Sequence, residues 1–250
     1  MPPRALIAGL GLIGGSIGLA LRARGWNVTY LDPAVERDEA IRCGAADERA
    51  RGIEDCDLVV LATPVDAALD LLRTIPPATR ATSVCSVMKP LREAAGERPF
   101  VAGHPLAGSH ERTLSAARAD LFRGRRWFID RSDPLVETMI ADCGAFADLV
   151  SPEEHDRAVA LTSHLPQILS TALAASIGDD DLRFAGSGLR TFLRLAGSDA
   201  AVWRPVISAN RENIEKGANA VADLVRRMLE DDPDPIFERA RTVWARLEEN

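Results

Sequence analysis

The stretch Ala5-Leu6-Ile7-Ala8-Gly9-Leu10-Gly11-Leu12-Ile13-Gly14-Gly15-Ser16 constrains this chain more than any other. A short apolar run leads into Gly9, Gly11 and Gly14 at G-x-G-x-x-G spacing, and a helix-like segment follows over 13–24. A buried strand that ends at Gly9 must turn sharply there. Gly11, with no Cβ, lets a pyrophosphate approach the backbone, and Gly14 lets helix and strand pack closely. The N–H groups of the first helical turn, at Leu12 and Ile13, then face the phosphates from the positive end of the helix dipole. The spacing alone is a weak signal, because glycine-rich turns are common. Residues 27–31 strengthen it: they read as a second strand ending at Asp32, 18 residues after Gly14, where an acid accepts hydrogen bonds from the adenine-ribose hydroxyls. A carboxylate there repels a 2′-phosphate, and Pro33, Ala34 and Val35 supply no arginine, so NAD is expected rather than NADP.

The first half of the chain keeps alternating strand and helix patterns, as in a parallel, doubly wound sheet. Helix-like 34–43 stops at Gly44, and 57–62 is a buried strand followed by Thr63 and Pro64. Ligands of such sheets sit beyond the carboxyl ends of strands, so Thr63 and Pro64 are expected to line the cofactor cleft. A helix is expected over 65–73 and strands over 81–85, 100–103 and 126–130. The first of these strands ends at Ser86-Val87-Met88-Lys89 and the second at His104-Pro105-Leu106-Ala107-Gly108-Ser109-His110. Helix 134–146 and strand 148–150 complete the alternation.

From Ser151-Pro152-Glu153-Glu154, a helix start with a cap residue and early acids, the pattern is helical throughout. Helices are expected over 158–177, 189–196, 201–229 and 235–247. The fold class is therefore α/β: an N-terminal Rossmann dinucleotide-binding domain over 1–150 and an all-α substrate and dimerisation domain over 151–250. A helical domain of that size has a modest core, so its apolar helices are expected to bury surface against a second copy, giving a homodimer.

A formal charge of −7 gives no reason to expect a nucleic-acid partner. The N-terminus runs directly into the first strand without a signal-peptide pattern, and no apolar run reads as a membrane span, so a cytoplasmic protein is expected. Cys43, Cys56, Cys85 and Cys143 form no C-x-x-C pair and are expected to be reduced thiols, mostly buried.

Three clusters could carry chemistry. His104 follows a strand on the sheet edge that also carries the glycine turn, and a neutral imidazole there can accept a hydroxyl proton as hydride leaves for a nicotinamide. Ser163-His164-Leu165-Pro166-Gln167 places polar residues inside an apolar helix, with Ser163 and Gln167 on one face and Pro166 removing a backbone hydrogen bond. Satisfied core side chains and a substrate role are equally open for this cluster. Gly186 through Arg194 opens a helix whose Arg190 and Arg194 share a face suited to a carboxylate, although a solvated basic face fits as well; Trp203 follows.

Together these segments resemble the prephenate/arogenate dehydrogenases of tyrosine biosynthesis along nearly the whole chain. Gly9-x-Gly11-x-x-Gly14 resembles the cofactor turn of that family, and Ser86 falls where it has a serine near nicotinamide and substrate. His104-Pro105-Leu106-Ala107-Gly108 is similar to its segment with the catalytic histidine, and Ser163-His164-Leu165-Pro166 to its S-H-L-P segment. Arg194 falls on its substrate-carboxylate arginine, in a segment running to Trp203. The resemblance implies NAD-dependent oxidative decarboxylation of prephenate to 4-hydroxyphenylpyruvate without a metal. His104 would act on the hydroxyl, Ser86 would orient it, and Ser163, Gln167, Ser109, His110 and Trp203 would complete the pocket.

The sequence departs from that pattern in places. Many prephenate-using members have a second histidine where Gln167 stands, which leaves arogenate, or a modified prephenate of a secondary pathway, as alternative substrates. Met88 stands where a lysine is usual, with Lys89 after it, and Cys85 and Ser83 replace a usual glycine and acid. No regulatory domain is recognisable, so feedback by tyrosine through one is not expected. A β-hydroxyacid dehydrogenase is a poorer reading, because Asn219 follows Lys216 one residue too early for its K-x-x-x-N pattern. A silent dinucleotide sensor is disfavoured by the presence of His104 and Arg194.

Overall fold

The computed structural model describes residues 1–53, 56–108 and 111–248. They form two compact units, 1–159 with 197–209, and 160–196 with 210–248. The division falls nine residues beyond the expected boundary at 150, and Gly197–Ala209 belongs to the first unit.

The first unit is built on a six-stranded parallel sheet. Its strands are β1 (Arg4–Ala8), β2 (Asn27–Leu31), β3 (Glu48–Arg49), β4 (Leu58–Leu61), β5 (Ala81–Ser83) and β6 (Phe100–Val101), in the order β3-β2-β1-β4-β5-β6. Chain order reverses between β1 and β4, which pair from Ala5 with Leu58 to Ala8 with Leu61, and a crevice for a ligand opens at that switch point. All of β4 and all of β1 after Arg4 are buried, because helices cover both faces; hence their continuous apolar runs. The helices are α1 (Leu12–Ala23), α2 (Arg37–Arg42), α3 (Val65–Thr74), α4 (Lys89–Ala95), α5 (Pro134–Asp142), α6 (Pro152–Val159) and later α9 (Ala200–Ala209).

The Rossmann expectation holds, with differences of detail. The expected strand 100–103 splits. β6 closes the parallel sheet, while β7 (Gly103–Pro105) pairs antiparallel with β8 (Arg126–Ile129), which runs parallel to β9 (Phe146–Leu149) in a separate sheet. Asp130 fixes the departure by accepting the Ala102 N–H at 2.8 Å, and Gly103 is needed there because a Cβ would lie 2.8 Å from Ser83 O. Helix α4 has no counterpart in the sequence expectations. No local side chain caps it; its leading N–H groups are taken by Asp156, 67 and 68 residues away.

The second unit is helical: a π turn (Ala160–His164), α7 (Leu165–Ser176), α8 (Ser187–Phe192), a 3₁₀ turn (Leu193–Leu195), α10 (Arg211–Glu230) and α11 (Asp234–Glu248). The helix expected over 201–229 is interrupted at Asn210, whose buried side chain lies 3.2 Å from His164 and accepts from Asn213. Contrary to the expectation of no membrane-length run, the helical residues Pro152–Ser176 meet a membrane span's length and composition, with mean hydropathy 1.2 in their most apolar window. Core helices of soluble proteins meet the same measure. Here the buried Gln167 and Ser170 bond to protein carbonyls.

Candidate active site

The glycine turn has the backbone that its spacing demands. Gly9 has φ +91°, and a Cβ on it would lie 2.6 Å from Ala62 O. On Gly14 a Cβ would lie 1.9 Å from Gly9 O. Both positions therefore exclude a side chain. A cavity of about 680 Å³ opens beyond the turn, in the size range of ligand sites. Gly9, Gly11, Leu12, Ile13, Asp32, Thr63 and Pro64, all expected at the cofactor, line it, as do Ser86 and His104. Gly14 does not; its work is the close helix–strand approach. Among the described residues, Thr63 Oγ1 is buried there without a hydrogen-bond partner, a polar atom available to a ligand. An open glycine cradle and an acid at the end of β2 fit an adenine dinucleotide.

Two details differ from expectation. The Asp32 carboxylate, expected at the ribose, accepts the N–H groups of Leu10 and Ala34, each at 2.8 Å, and so braces the glycine turn. A carboxylate has about four acceptor sites, so two bonds leave capacity for ribose hydroxyls. At the helix entry, the Leu12 N–H donates to Arg112 O at 2.8 Å, and a Gly11 Cβ would lie 2.7 Å from that oxygen. A phosphate that takes the Leu12 N–H must displace this carbonyl. An arginine also stands nearer Asp32 than the local sequence indicates: β3 brings Arg49, whose guanidinium donates to Asp32 O at 3.2 Å.

His104 sits in β7 opposite Phe128 of β8 and lines the cavity. Its Nδ1 lies 2.9 Å from Nε2 of His155, on α6, and the two rings meet edge to face at 5.1 Å. Nδ1 of His155 lies 2.8 Å from Asp156 Oδ1. Asp156 also accepts the N–H groups of Met88 at 2.8 Å and Lys89 at 3.0 Å. His155 and Asp156 are each 2% exposed. Sequence reasoning misses this pair, which lies in a segment legible only as a helix start. The available signal is a histidine and an acid on the apolar side of α6, at positions where that helix buries itself.

Ser86 lines the same cavity as the glycine turn and His104. Burial pushes the neighbouring Cys85 thiol up to about 12, so it stays protonated; its Sγ lies 3.6 Å from Thr63 O. Met88 is wholly buried, and Lys89 is exposed with Glu93 3.8 Å away, so neither stands in for a lysine in the cavity. Cys143 is also buried, whereas Cys43 is exposed. Trp203 is on α9 and packs half-buried against the sheet's second apolar cluster; Val202 and Val206 of that helix line the cavity instead. Ser109 and His110 lie outside the described residues.

The other expected residues belong to the second unit. Ser163 is exposed and Gln167 buried, so they do not share the expected face. The π turn before α7 accommodates Pro166, which lacks an N–H, and its wider winding shifts the helical phase between the two positions. Gln167 Nε2 donates to Leu195 O at 2.8 Å and Thr171 Oγ1 at 3.0 Å, and Ser170 Oγ donates to Phe192 O at 3.0 Å. These bonds hold the backbone on both sides of Arg194. Arg190 and Arg194 lie on different elements, because α8 ends at Phe192 and a 3₁₀ turn carries Arg194.

Comparison with known proteins agrees with this geometry. Residues 17–133 match the model of the prephenate dehydrogenase nucleotide-binding domain, and 151–234 that of the prephenate dehydrogenase dimerization domain. A probable prephenate dehydrogenase of Streptomyces niveus, NovF, is 34% identical over 90% of this chain and 68% of its own length. A prephenate dehydrogenase of Bacillus subtilis is 30% identical over 86% of this chain, which spans 66% of that protein. The crystal structure of an A. aeolicus prephenate dehydrogenase in complex with hydroxyphenyl propionate and NAD⁺ superposes with a TM-score of 0.83 at 26% identity, covering 100% of this chain and 99% of that one.

Proposed function

The chain belongs to the prephenate dehydrogenase family, and we propose that it catalyses the NAD-dependent oxidative decarboxylation of prephenate to 4-hydroxyphenylpyruvate in tyrosine biosynthesis. The observation that carries this reading is the position of His104 in the cavity that begins at the glycine turn. NAD supplies a hydride acceptor when bound. Gly9, Gly11, Leu12 and Ile13 receive its pyrophosphate, Asp32 its ribose, and Thr63 and Pro64 flank it. His104 takes the proton of the ring hydroxyl as hydride leaves the carbon that bears it. The ring carboxylate departs as CO₂, its bonding electrons aromatise the ring, and the phenolate oxygen recovers the proton. Ser86 orients the hydroxyl. Arg194 binds a substrate carboxylate, and Ser163 completes that contact. Gln167 acts through Leu195 on the Arg194 segment, and Trp203 supports the wall formed by α9.

The active form is proposed to be a cytoplasmic homodimer associating through the helical unit. The match to a dimerization domain supports this, as do the exposed apolar side chains Leu229, Phe237, Trp244 and Leu247 on α10 and α11. Sedimentation at micromolar concentration is expected to give twice the chain mass; a monomer would remove the dimer. Substrate choice is read by supplying prephenate and arogenate in parallel, each with NAD and NADP. Turnover of prephenate with NAD is expected. Turnover of arogenate alone would move the assignment to an arogenate dehydrogenase.

A further inference from the structure

The geometry points to His155 and Asp156 as a buried positioning pair that sets the tautomer of His104. The inference rests on His104 being the base of the proposed reaction, but its physical content concerns this chain alone. Both oxygens of Asp156 accept a backbone N–H, Oδ1 from Met88 and Oδ2 from Lys89, so the carboxylate faces its neighbours as an acceptor. A carboxylate can only accept, so Nδ1 of His155 carries a proton and donates it to Asp156 Oδ1 across 2.8 Å. Neutral His155 then has its lone pair on Nε2. The atom 2.9 Å from that lone pair is Nδ1 of His104, which must therefore be the donor. Neutral His104 is thereby fixed with its proton on Nδ1 and its lone pair on Nε2, the form that a base needs.

The same chain responds when His104 accepts a proton. The imidazolium at position 104 keeps its Nδ1–H aimed at His155, and the Asp156 charge stands one ring further on. His155 is packed edge-on against Phe128 as well as His104, so its ring cannot turn away without opening the core. Orientation, tautomer and charge support thus come from one buried dyad. Asp156 ties the dyad to α4, which follows the Ser86 loop, so both residues assigned to the substrate hydroxyl depend on the same carboxylate.

The test uses the whole protein with ¹⁵N-labelled histidine. Only His104, His110, His155 and His164 contribute signals, so single substitutions assign them. Long-range ¹H–¹⁵N correlation is expected to show His104 as the Nδ1–H tautomer in the protein without substrate. His155→Gln keeps an acceptor for His104 and a donor for Asp156, and is expected to retain that tautomer and kcat within about tenfold. His155→Leu removes the acceptor; the tautomer is expected to shift toward Nε2–H, with kcat down about 100-fold and KM changed far less. An Nε2–H tautomer in the wild type would overturn the inference. So would equal loss in both variants with an unchanged tautomer, or kcat in His155→Leu within about threefold of wild type. If the tautomer is as expected but neither prephenate nor arogenate is turned over, the dyad stands and the functional proposal fails.

Discussion

His104 meets two demands that pull against each other: it must reach a substrate in the cavity and still present a defined nitrogen. Burial of its partners settles this, because a buried imidazole beside a buried carboxylate leaves one consistent pattern of donors and acceptors. His104→Asn is expected to lower kcat by about 10³-fold, within the range for general base catalysis, with little change in NAD affinity measured by titration. Retained turnover would release His104 from its role. Arg194→Gln is expected to raise KM by roughly 10- to 100-fold with kcat nearly unchanged, as loss of a charge-assisted carboxylate contact requires. An unchanged KM would move the contact elsewhere. The buried thiols give a pH prediction. Burial pushes Cys85 and Cys143 up to about 12 from 9.0, so the folded protein holds these protons longer than the unfolded chain. Their contribution to stability is complete below pH 9 and is lost as pH rises toward 12, because the unfolded chain gives up these protons first. Urea midpoints between about pH 8 and 11 should fall less steeply in Cys143→Ala than in the wild type; parallel curves would contradict this.

At the scale of elements, what is legible in the sequence is what is local. The turn from β1 to α1, the second strand ending at Asp32, and α3 after Thr63-Pro64 lie within a residue or two of their expected places, because each is set by glycine chemistry or by a short periodic pattern. What is not legible depends on distant partners. α4 has no cap of its own and relies on Asp156. β7 leaves the main sheet because β8, more than 20 residues on, offers it an antiparallel edge. The His104–His155 contact joins positions 51 residues apart, and no spacing rule signals it. The glycine turn supplies the test at this scale. Gly11→Ala sets a Cβ 2.7 Å from Arg112 O and in the path of a phosphate, so the backbone at Arg112 must give way, Tm is expected to fall, and NAD affinity, titrated at a temperature where calorimetry shows the variant folded, is expected to fall at least about tenfold. A variant that binds NAD normally would show that the dinucleotide does not approach there.

For the whole molecule, sequence and structure agree on class: a doubly wound nucleotide-binding unit and a helical unit of the prephenate dehydrogenase family. The two units also explain why the site is unevenly legible. The residues proposed to hold the cofactor fall on one sheet edge and follow from topology, whereas Arg194 and Gln167 sit where a π turn and a 3₁₀ turn break the helical phase on which their expected faces rely. NAD reduction with prephenate, followed in the wild type and in His104→Asn together with product analysis, decides whether His104 is the base of an oxidative decarboxylation. One NADH, one CO₂ and one 4-hydroxyphenylpyruvate per prephenate in the wild type, with turnover all but lost in a variant that still binds NAD, is the predicted result. NAD binding without reduction by prephenate or arogenate in the wild type, or equal rates in the two proteins, would contradict it.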